Sequence, residues 1–424
     1  MALVYAVTYN VLITSTKYSK RLSVMQITDL AAQEKILPFL RLGFRPFFLG
    51  GAIFGAVAII VWLLIYRGVL QLSPLGGGYW WHIHEMVFGF GAAIIAGFLL
   101  TAVQNWTGMR GVQGNTLLML FSVWLVARLL LIFPHWLGAE LTSIIDLIFL
   151  PLTAFILGKP ILAIKQYRNL FFVPLLILFT LVNAQMHAAI YLPKIFSLTF
   201  GGYTGVFLVT FLMSVMIGRV VPMFTANGTQ TPKASPLPWL DKAANGTIGL
   251  AMLLLLVQPF LGFSATFFGS ILIVAGILQT MRWIRWKPWI TLNVPLLWSL
   301  HIAIKFLAFG LVVLGLSYIS DQIPTNHAWH LLTVGAIGGI ILAMISRVSL
   351  GHTGRRLSPP TIIVIAYLLI NLAALIRFFG PWLIPEKTMM FIDISGTFWA
   401  LAFLLFALSY GPMLLKARKD GRPG

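Results

Sequence analysis

Apolar stretches long enough to cross a lipid bilayer recur along the whole chain, and this feature constrains the fold more than any other. A bilayer core of about 30 Å needs roughly 20 apolar residues in helical conformation. None of the stretches shows the alternation over about ten residues that is typical of a membrane β-barrel. We therefore predict an all-α, multi-pass membrane protein in contact with the lipid bilayer.

Polar breaks between the apolar runs divide the chain into twelve predicted transmembrane helices. Their predicted ranges are 47–66, 80–102, 116–134, 140–158, 170–191, 196–221, 244–261, 264–282, 292–317, 327–349, 360–379 and 389–414. We expect one membrane domain over 37–416, an N-terminal extension over 1–36 and a basic tail over 417–424. Met25 is as good a start residue as Met1, so the extension is kept outside the predicted fold.

Charged residues report on topology rather than on nucleic acid. Lysine and arginine number 29 against 10 aspartates and glutamates, and most of them fall in short connectors between apolar runs. When the connectors are assigned to alternate sides, one side takes nearly all of this excess. Because cytoplasmic connectors hold the excess of lysine and arginine, we predict that both termini are cytoplasmic.

The absence of cysteine narrows the chemistry. It excludes disulfides, thiolate copper sites, cysteine-ligated iron–sulfur clusters and covalent attachment of c-type haem. Any bound metal therefore needs histidine, methionine or carboxylate ligands.

The second and tenth predicted helices resemble each other. At an offset of 246 residues His330 aligns with His84, Gly335 with Gly89 and Gly354 with Gly108. A weaker match at an offset of 128 links the ends of the sixth and tenth helices. This spacing predicts three related four-helix units, and the alternative is a chance matching of glycine and isoleucine in apolar helices.

Histidines concentrate at one level of the predicted membrane domain. Six of the eight lie near the non-cytoplasmic ends of helices or in a loop there, while His301 lies near the middle of a helix: the six are His82, His84, His135, His187, His327 and His330. Because buried ionisable groups in membranes are costly and usually functional, we predict metal or haem ligation. The alternative is that the histidines hydrogen-bond loop carbonyls. Copper and iron both accept imidazole, so the metal stays open.

Helix geometry limits which histidines can share a cofactor. His82 and His84 differ by about 200° around a regular helix, so they face different neighbours, whereas His327 and His330 differ by about 60°. We therefore expect a planar cofactor between one histidine of the second helix and one of the tenth. Small residues on these helices, including Gly89 and Gly335, would admit either a porphyrin or a neighbouring helix.

Glu85 is the carboxylate nearest to these histidines in the sequence. Three roles are open to it: accepting a hydrogen bond from a ligating imidazole, donating protons to a bound substrate, or facing the lipid headgroups.

Seven segments together resemble the NnrS family. They are LGFRPFF at 42–48, WHIHEM at 81–86, GFLLTA at 97–102, NWTG at 105–108, RVVPMFT at 219–225, HAWH at 327–330 and MISRVSLGHTG at 344–354. The resemblance implies a multi-pass protein of the bacterial inner membrane that contains haem and copper and is associated with denitrification and protection from nitric oxide. The architecture also resembles, more weakly, the catalytic subunit of haem-copper oxidases and nitric oxide reductases, although the sixth helix has no histidine.

These resemblances shape the functional prediction. We expect one b-type haem held by His82 or His84 together with His327 or His330. Copper, or a second haem or iron, would use His187, His301 and the outer histidines His82 and His327 that the haem leaves free. Glu85 would donate protons, and electrons would come from quinol or a docking protein. Nitric oxide reduction or detoxification is the leading hypothesis, and the alternative is a non-catalytic metal or haem transporter or a nitric oxide sensor.

Overall fold

The computed structural model describes residues 34–197 and 199–422, and this part of the chain is helical without strands. The predicted extension at 1–36 therefore lies almost entirely outside the described residues, as do the last two residues of the basic tail. The all-α prediction is confirmed for the described part.

Twelve helices in the described part are long and apolar enough to span a membrane, which confirms the predicted number. They are α1 (Phe44–Tyr66), α2 (Gly77–Thr107), α3 (Gly114–Ile132), α4 (Ala139–Ala163), α5 (Tyr167–Tyr191), α6 (Phe200–Thr229), α7 (Pro238–Val257), α8 (Ala265–Arg285), α9 (Pro295–Ser317), α10 (Thr325–His352), α11 (Thr361–Leu383) and α12 (Pro385–Leu414). Short 3₁₀ turns begin at the prolines 38, 134 and 288.

The largest boundary errors concern α6 and α7. We expected α6 to end at 221, but it continues through Pro222 to Thr229. Proline inside a membrane helix is tolerated because neighbouring groups satisfy the freed backbone carbonyl. Pro238 then begins α7, six residues earlier than expected, since proline suits the first turn of a helix, where the amide hydrogen bond is not needed.

Both ends of the membrane domain lie on the same face of the bundle. Arg45, at the start of α1, donates hydrogen bonds to the carbonyl oxygens of Leu414 and Lys416 at 2.8 and 2.7 Å. The amide of Lys419 donates to the carbonyl of Thr353 at the end of α10. We call this the basic face, and its cytoplasmic orientation stays a prediction.

Helices α2, α9 and α10 form the centre of the bundle. The most apolar segment of α2 is 83% buried, compared with 33% for that of α7. Because a helix in the centre contacts other helices on all sides, its polar residues meet protein rather than lipid. The histidines of α2 and α10 are therefore placed for interactions between helices.

Two π-helical segments interrupt these central helices. One covers Glu85–Gly91 in α2 and directly follows His84. The other covers Leu331–Gly338 in α10 and directly follows His330. The two π-helical segments begin 246 residues apart, which is the offset at which the sequences of the two helices resemble each other. Segments of π-helix occur frequently at functional sites. The arrangement in three related units stays a prediction.

Candidate functional site

Helix α2 directs His82 and His84 into different surroundings, as the angle between them predicted. The His82 ring stacks on Trp62 of α1, with ring centroids 4.2 Å apart. The His84 ring stacks on Trp80, with centroids 4.6 Å apart, and lies edge-on to His187 at 5.0 Å. The two histidines thus belong to separate clusters at the face opposite to the basic face.

The inner cluster consists of buried polar side chains from four consecutive helices. Each of its members is at most 3% exposed: His84 and Glu85 from α2, Arg128 from α3, Asp146 from α4, and Asn183 and His187 from α5. Since polar groups are buried at a cost unless they are paired, the hydrogen bonds among these side chains decide what the cluster can do.

One oxygen of Asp146 is the meeting point of the inner cluster. Its Oδ2 lies 3.1 Å from His84 Nε2 and 3.0 Å from His187 Nε2, and it accepts a hydrogen bond of 2.7 Å from Asn183. The second nitrogen of His84, Nδ1, lies 2.9 Å from Glu85 Oε1. When Nδ1 donates to this carboxylate, Nε2 keeps its lone pair and points at Asp146.

His84 Nε2 faces Asp146 Oδ2 and also the amide oxygen of Asn183 at 2.9 Å, so a metal ion, or a hydrogen on a charged imidazole, must lie between them. The nearest nitrogen and oxygen atoms of His84, Asp146 and His187 all lie within 4.8 Å of one another. An ion bound at about 2.1 Å from each ligand sets ligand-to-ligand distances of roughly 3.0 to 3.4 Å, and the distances from Asp146 Oδ2 to the two imidazoles match this range. Because the donors are this close together, the site suits a single metal ion and not a macrocycle.

Charges in the inner cluster favour the same conclusion. Arg128 donates to Glu85 Oε1 at 2.8 Å and to Asp146 Oδ1, so it pairs with both carboxylates. Two carboxylates against one guanidinium leave an excess of negative charge in a buried site. A bound cation would neutralise this excess, and the Nδ1 contact to a carboxylate is the arrangement that orients a metal-ligating histidine.

The position of Glu85 excludes one of its three predicted roles and supports another. Its side chain is fully buried, so the expectation that it faces the headgroups is wrong. The hydrogen bond from His84 Nδ1 is the contact expected of a residue that supports a ligating imidazole. Its other oxygen, Oε2, has no hydrogen-bond partner among the described residues. Proton donation stays a prediction.

The outer cluster contains the remaining histidines of α2 and α10. We use this name for His82, His327, His330 and the guanidinium of Arg377 on α11, which interact electrostatically. The three histidines are half-buried. Arg377 donates to His327 Nδ1 at 2.6 Å, and His330 Nδ1 donates to the carbonyl of Asn326 at 2.8 Å. His330 therefore keeps a free lone pair on Nε2.

The small residues of α2 and α10 serve helix packing. A Cβ atom on Gly335 would lie 2.6 Å from the ring of Phe306, and one on Gly97 would lie 2.8 Å from Phe47. A Cβ on Gly89 would approach Glu85 and Arg128 of the inner cluster. Side chains therefore fill the space that a porphyrin between these two helix faces would need, and any haem must approach the outer cluster differently.

The four predicted metal ligands His82, His187, His301 and His327 separate into three places. His187 joins the inner cluster, while His82 and His327 join the outer one. His301 Nε2 lies 2.9 Å from Thr225 Oγ1, and its carbonyl accepts a hydrogen bond from Trp283 near the basic end of α8. His187 and His301 therefore lie in different places and do not form the predicted joint metal site.

Sequence reasoning placed none of Asn183, Asp146 and Arg377 among the predicted site residues. A signal for the first was present, because Asn183 and His187 are four residues apart and share one face of a helix. No comparable signal links Arg377 to histidines that lie about 50 residues earlier in the chain.

Comparison with known proteins gives one match and one negative result. No curated protein matches this sequence. The family model described as NnrS protein matches residues 38–418, nearly the whole chain and all twelve helices. Together with the two histidine clusters at one end of a twelve-helix membrane domain, this match shows that the chain belongs to the NnrS family.

Proposed function

We propose that this protein is a haem- and copper-containing redox protein of the bacterial inner membrane that binds nitric oxide and reduces or otherwise detoxifies it. Membership of the NnrS family supports the link to nitric oxide. The observation that carries the proposal is the convergence of His84, Asp146 and His187 on one buried point. A buried site with excess negative charge and two imidazoles is built for a metal ion rather than for packing.

The two clusters suit different cofactors. In the inner cluster His84, Asp146 and His187 would hold copper, because imidazole binds copper without help from thiolate. In the outer cluster His82 and His330 would hold haem iron, since both are half-buried and His330 Nε2 has a free lone pair. When bound, haem and copper would supply the one-electron chemistry, and the protein would supply their binding and orientation.

Other residues of the inner cluster would orient and insulate the metal ligands. Glu85 fixes His84 in the tautomer that leaves Nε2 available, and Arg128 holds both carboxylates in place. Stacking of Trp80 on the His84 ring restricts its rotation and helps to exclude water. Glu85 is also the proposed proton donor, and quinol or a docking protein is the proposed source of electrons.

Purified protein tests the proposal directly. We expect copper by elemental analysis and a haem absorption band in the visible spectrum. His187→Ala should lose copper, and His330→Ala should alter the haem spectrum. His135→Ala is the matched control, because His135 lies exposed in the loop between α3 and α4 and should change neither.

Activity requires a separate measurement. Mixing of the reduced protein with nitric oxide should yield nitrous oxide in a single turnover. Binding of nitric oxide without nitrous oxide would reassign the protein as a sensor or carrier. A colourless protein without metal would contradict the proposal as a whole.

A further inference from the structure

Arg377 is a buried charge without a counter-charge among the described residues. Its side chain lies within α11 and is only 8% exposed. Its electrostatic neighbours are Tyr66, Tyr79 and the histidines of the outer cluster, and no described carboxylate lies within ion-pairing distance of it. A charge in the membrane region is costly unless an opposite charge or strong hydrogen bonds compensate it.

Two other buried arginines of the described residues have a carboxylate partner, which Arg377 lacks, whereas Arg347 lies over the ring of Phe224. Arg128 contacts two carboxylates, and Arg282 donates to Asp241 at 2.9 Å. Among the described residues, the only side-chain hydrogen-bond partner of Arg377 is the imidazole of His327, which is neutral while its Nδ1 accepts the hydrogen bond. The fold thus retains a buried guanidinium in a position where its own residues leave the charge unbalanced.

The tautomer of His327 points in the same direction. Because Nδ1 accepts a hydrogen bond from Arg377, the ring hydrogen of neutral His327 is on Nε2. Arg377 therefore keeps its remaining N–H groups as donors to an anion, while His327 holds the guanidinium through Nδ1 and is a poor metal ligand at its protonated Nε2. His330 has the opposite arrangement, since its Nδ1 donates to a carbonyl and its Nε2 is an acceptor.

We propose that Arg377, oriented by His327, forms a binding site for an oxyanion. A planar guanidinium donates two parallel hydrogen bonds to a planar oxyanion, and the half-buried histidines leave the cluster accessible from the surface. Two sources of this chemistry are a carboxylate group of bound haem and a free anion such as nitrite or formate. The inference depends on the proposed function only if the oxyanion is a carboxylate group of haem.

Anion binding to purified protein is the first arm of the test. Formate, a redox-inert planar oxyanion, should raise the heat-unfolding midpoint of the wild type if the site takes free anions. Arg377→Met should abolish this response, and Arg377→Lys should weaken it on the order of tenfold because the planar fork is lost. Arg347→Met is the matched control, since Arg347 is equally buried but lies over the ring of Phe224 and should leave the response intact.

Haem binding is the second arm. If the carboxylate belongs to haem, Arg377→Met should bind haem on the order of tenfold more weakly than Arg347→Met. Haem dimethyl ester, which lacks free carboxylates, should then bind to both variants equally. The ester separates this effect from a loss of iron ligation, which would weaken both forms of haem.

The outcomes distinguish this inference from the proposed function. Without added anions, the heat-unfolding midpoint of Arg377→Met should be no lower than that of the wild type, because the substitution removes an unbalanced charge. A formate response that depends on Arg377 would support the inference even if nitric oxide is not reduced. If Arg377→Met and Arg347→Met respond equally to formate and bind haem equally, the inference is overturned.

Discussion

The two histidine clusters lie side by side but have opposite electrostatic character. The inner cluster combines two carboxylates with one guanidinium and is closed to solvent, whereas the outer cluster combines half-buried histidines with a guanidinium and has no described carboxylate. His82 and His84 of α2 enter them from positions only two residues apart. A rotation of about 200° along one helix is enough to place similar side chains in a cluster with excess carboxylate and in a cluster with a guanidinium that no described carboxylate pairs.

This difference teaches that histidine alone does not define a site. The hydrogen-bond partner of each ring decides whether the imidazole acts as a ligand or as a donor. In the inner cluster a carboxylate receives the Nδ1 hydrogen of His84, while in the outer cluster a guanidinium occupies Nδ1 of His327. The following predictions test the comparison.

Removal of Arg128 should have the largest effect. Arg128→Met would leave two carboxylates buried without their counter-charge, and we expect the free energy of unfolding of the metal-free protein to fall by about 3 to 5 kcal/mol. Unfolding of the detergent-solubilised protein measures this. Arg377→Met should show no such loss, and equal destabilisation by both variants would break the comparison.

The next largest effect should be a loss of metal affinity when the carboxylate of Asp146 is replaced. Asp146→Asn should weaken metal binding by more than about 100-fold, because changes to outer-shell residues alone cost about 10- to 100-fold. Titration against a competing chelator measures the affinity. Asp241→Asn is the control, since Asp241 also pairs with a buried arginine but lies outside both clusters. Similar affinities of the two variants would remove Asp146 from the site.

Glu85 should contribute less than a direct ligand. Glu85→Gln keeps an oxygen that can accept from His84 Nδ1 but loses the charge, and we expect metal affinity to fall by about 10- to 100-fold. Glu140→Gln changes an exposed carboxylate and should leave affinity unchanged. An unaltered affinity in Glu85→Gln would show that Glu85 does not support the ligand and would reduce the electrostatic contrast between the clusters.

A packing substitution beside the outer cluster should have the smallest effect. Gly335→Ala forces a Cβ to within 2.6 Å of the Phe306 ring, and we expect a loss of about 1 to 2 kcal/mol in unfolding free energy. Gly246→Ala, where a Cβ meets no neighbour, is the control. The haem spectrum should not change. A spectral change in Gly335→Ala alone would mean that the glycine face touches the cofactor.

Much of the fold could be predicted because the bilayer imposes it. Hydrophobic length set the number of helices, and the most misplaced ends were those of α6 and α7, where Pro222 lies inside a helix and Pro238 begins one. The separation of His82 from His84 was also predictable, since it follows from local helix geometry. The burial of Glu85 was not, because its place in the sequence near a helix end resembles that of a headgroup-facing residue.

The amino acids alone were enough to predict an all-helical membrane protein, its family and a layer of histidines near one face. These properties depend on hydrophobic length, local periodicity and motifs, which are all contained in short segments. The packing of the helices was needed to show which side chains meet: it brings Asp146 to His84 and His187 and places Arg377 beside His327. The physical reason is that the identity of a site depends on charges and hydrogen bonds from helices far apart in the chain, and helix packing alone fixes their partners.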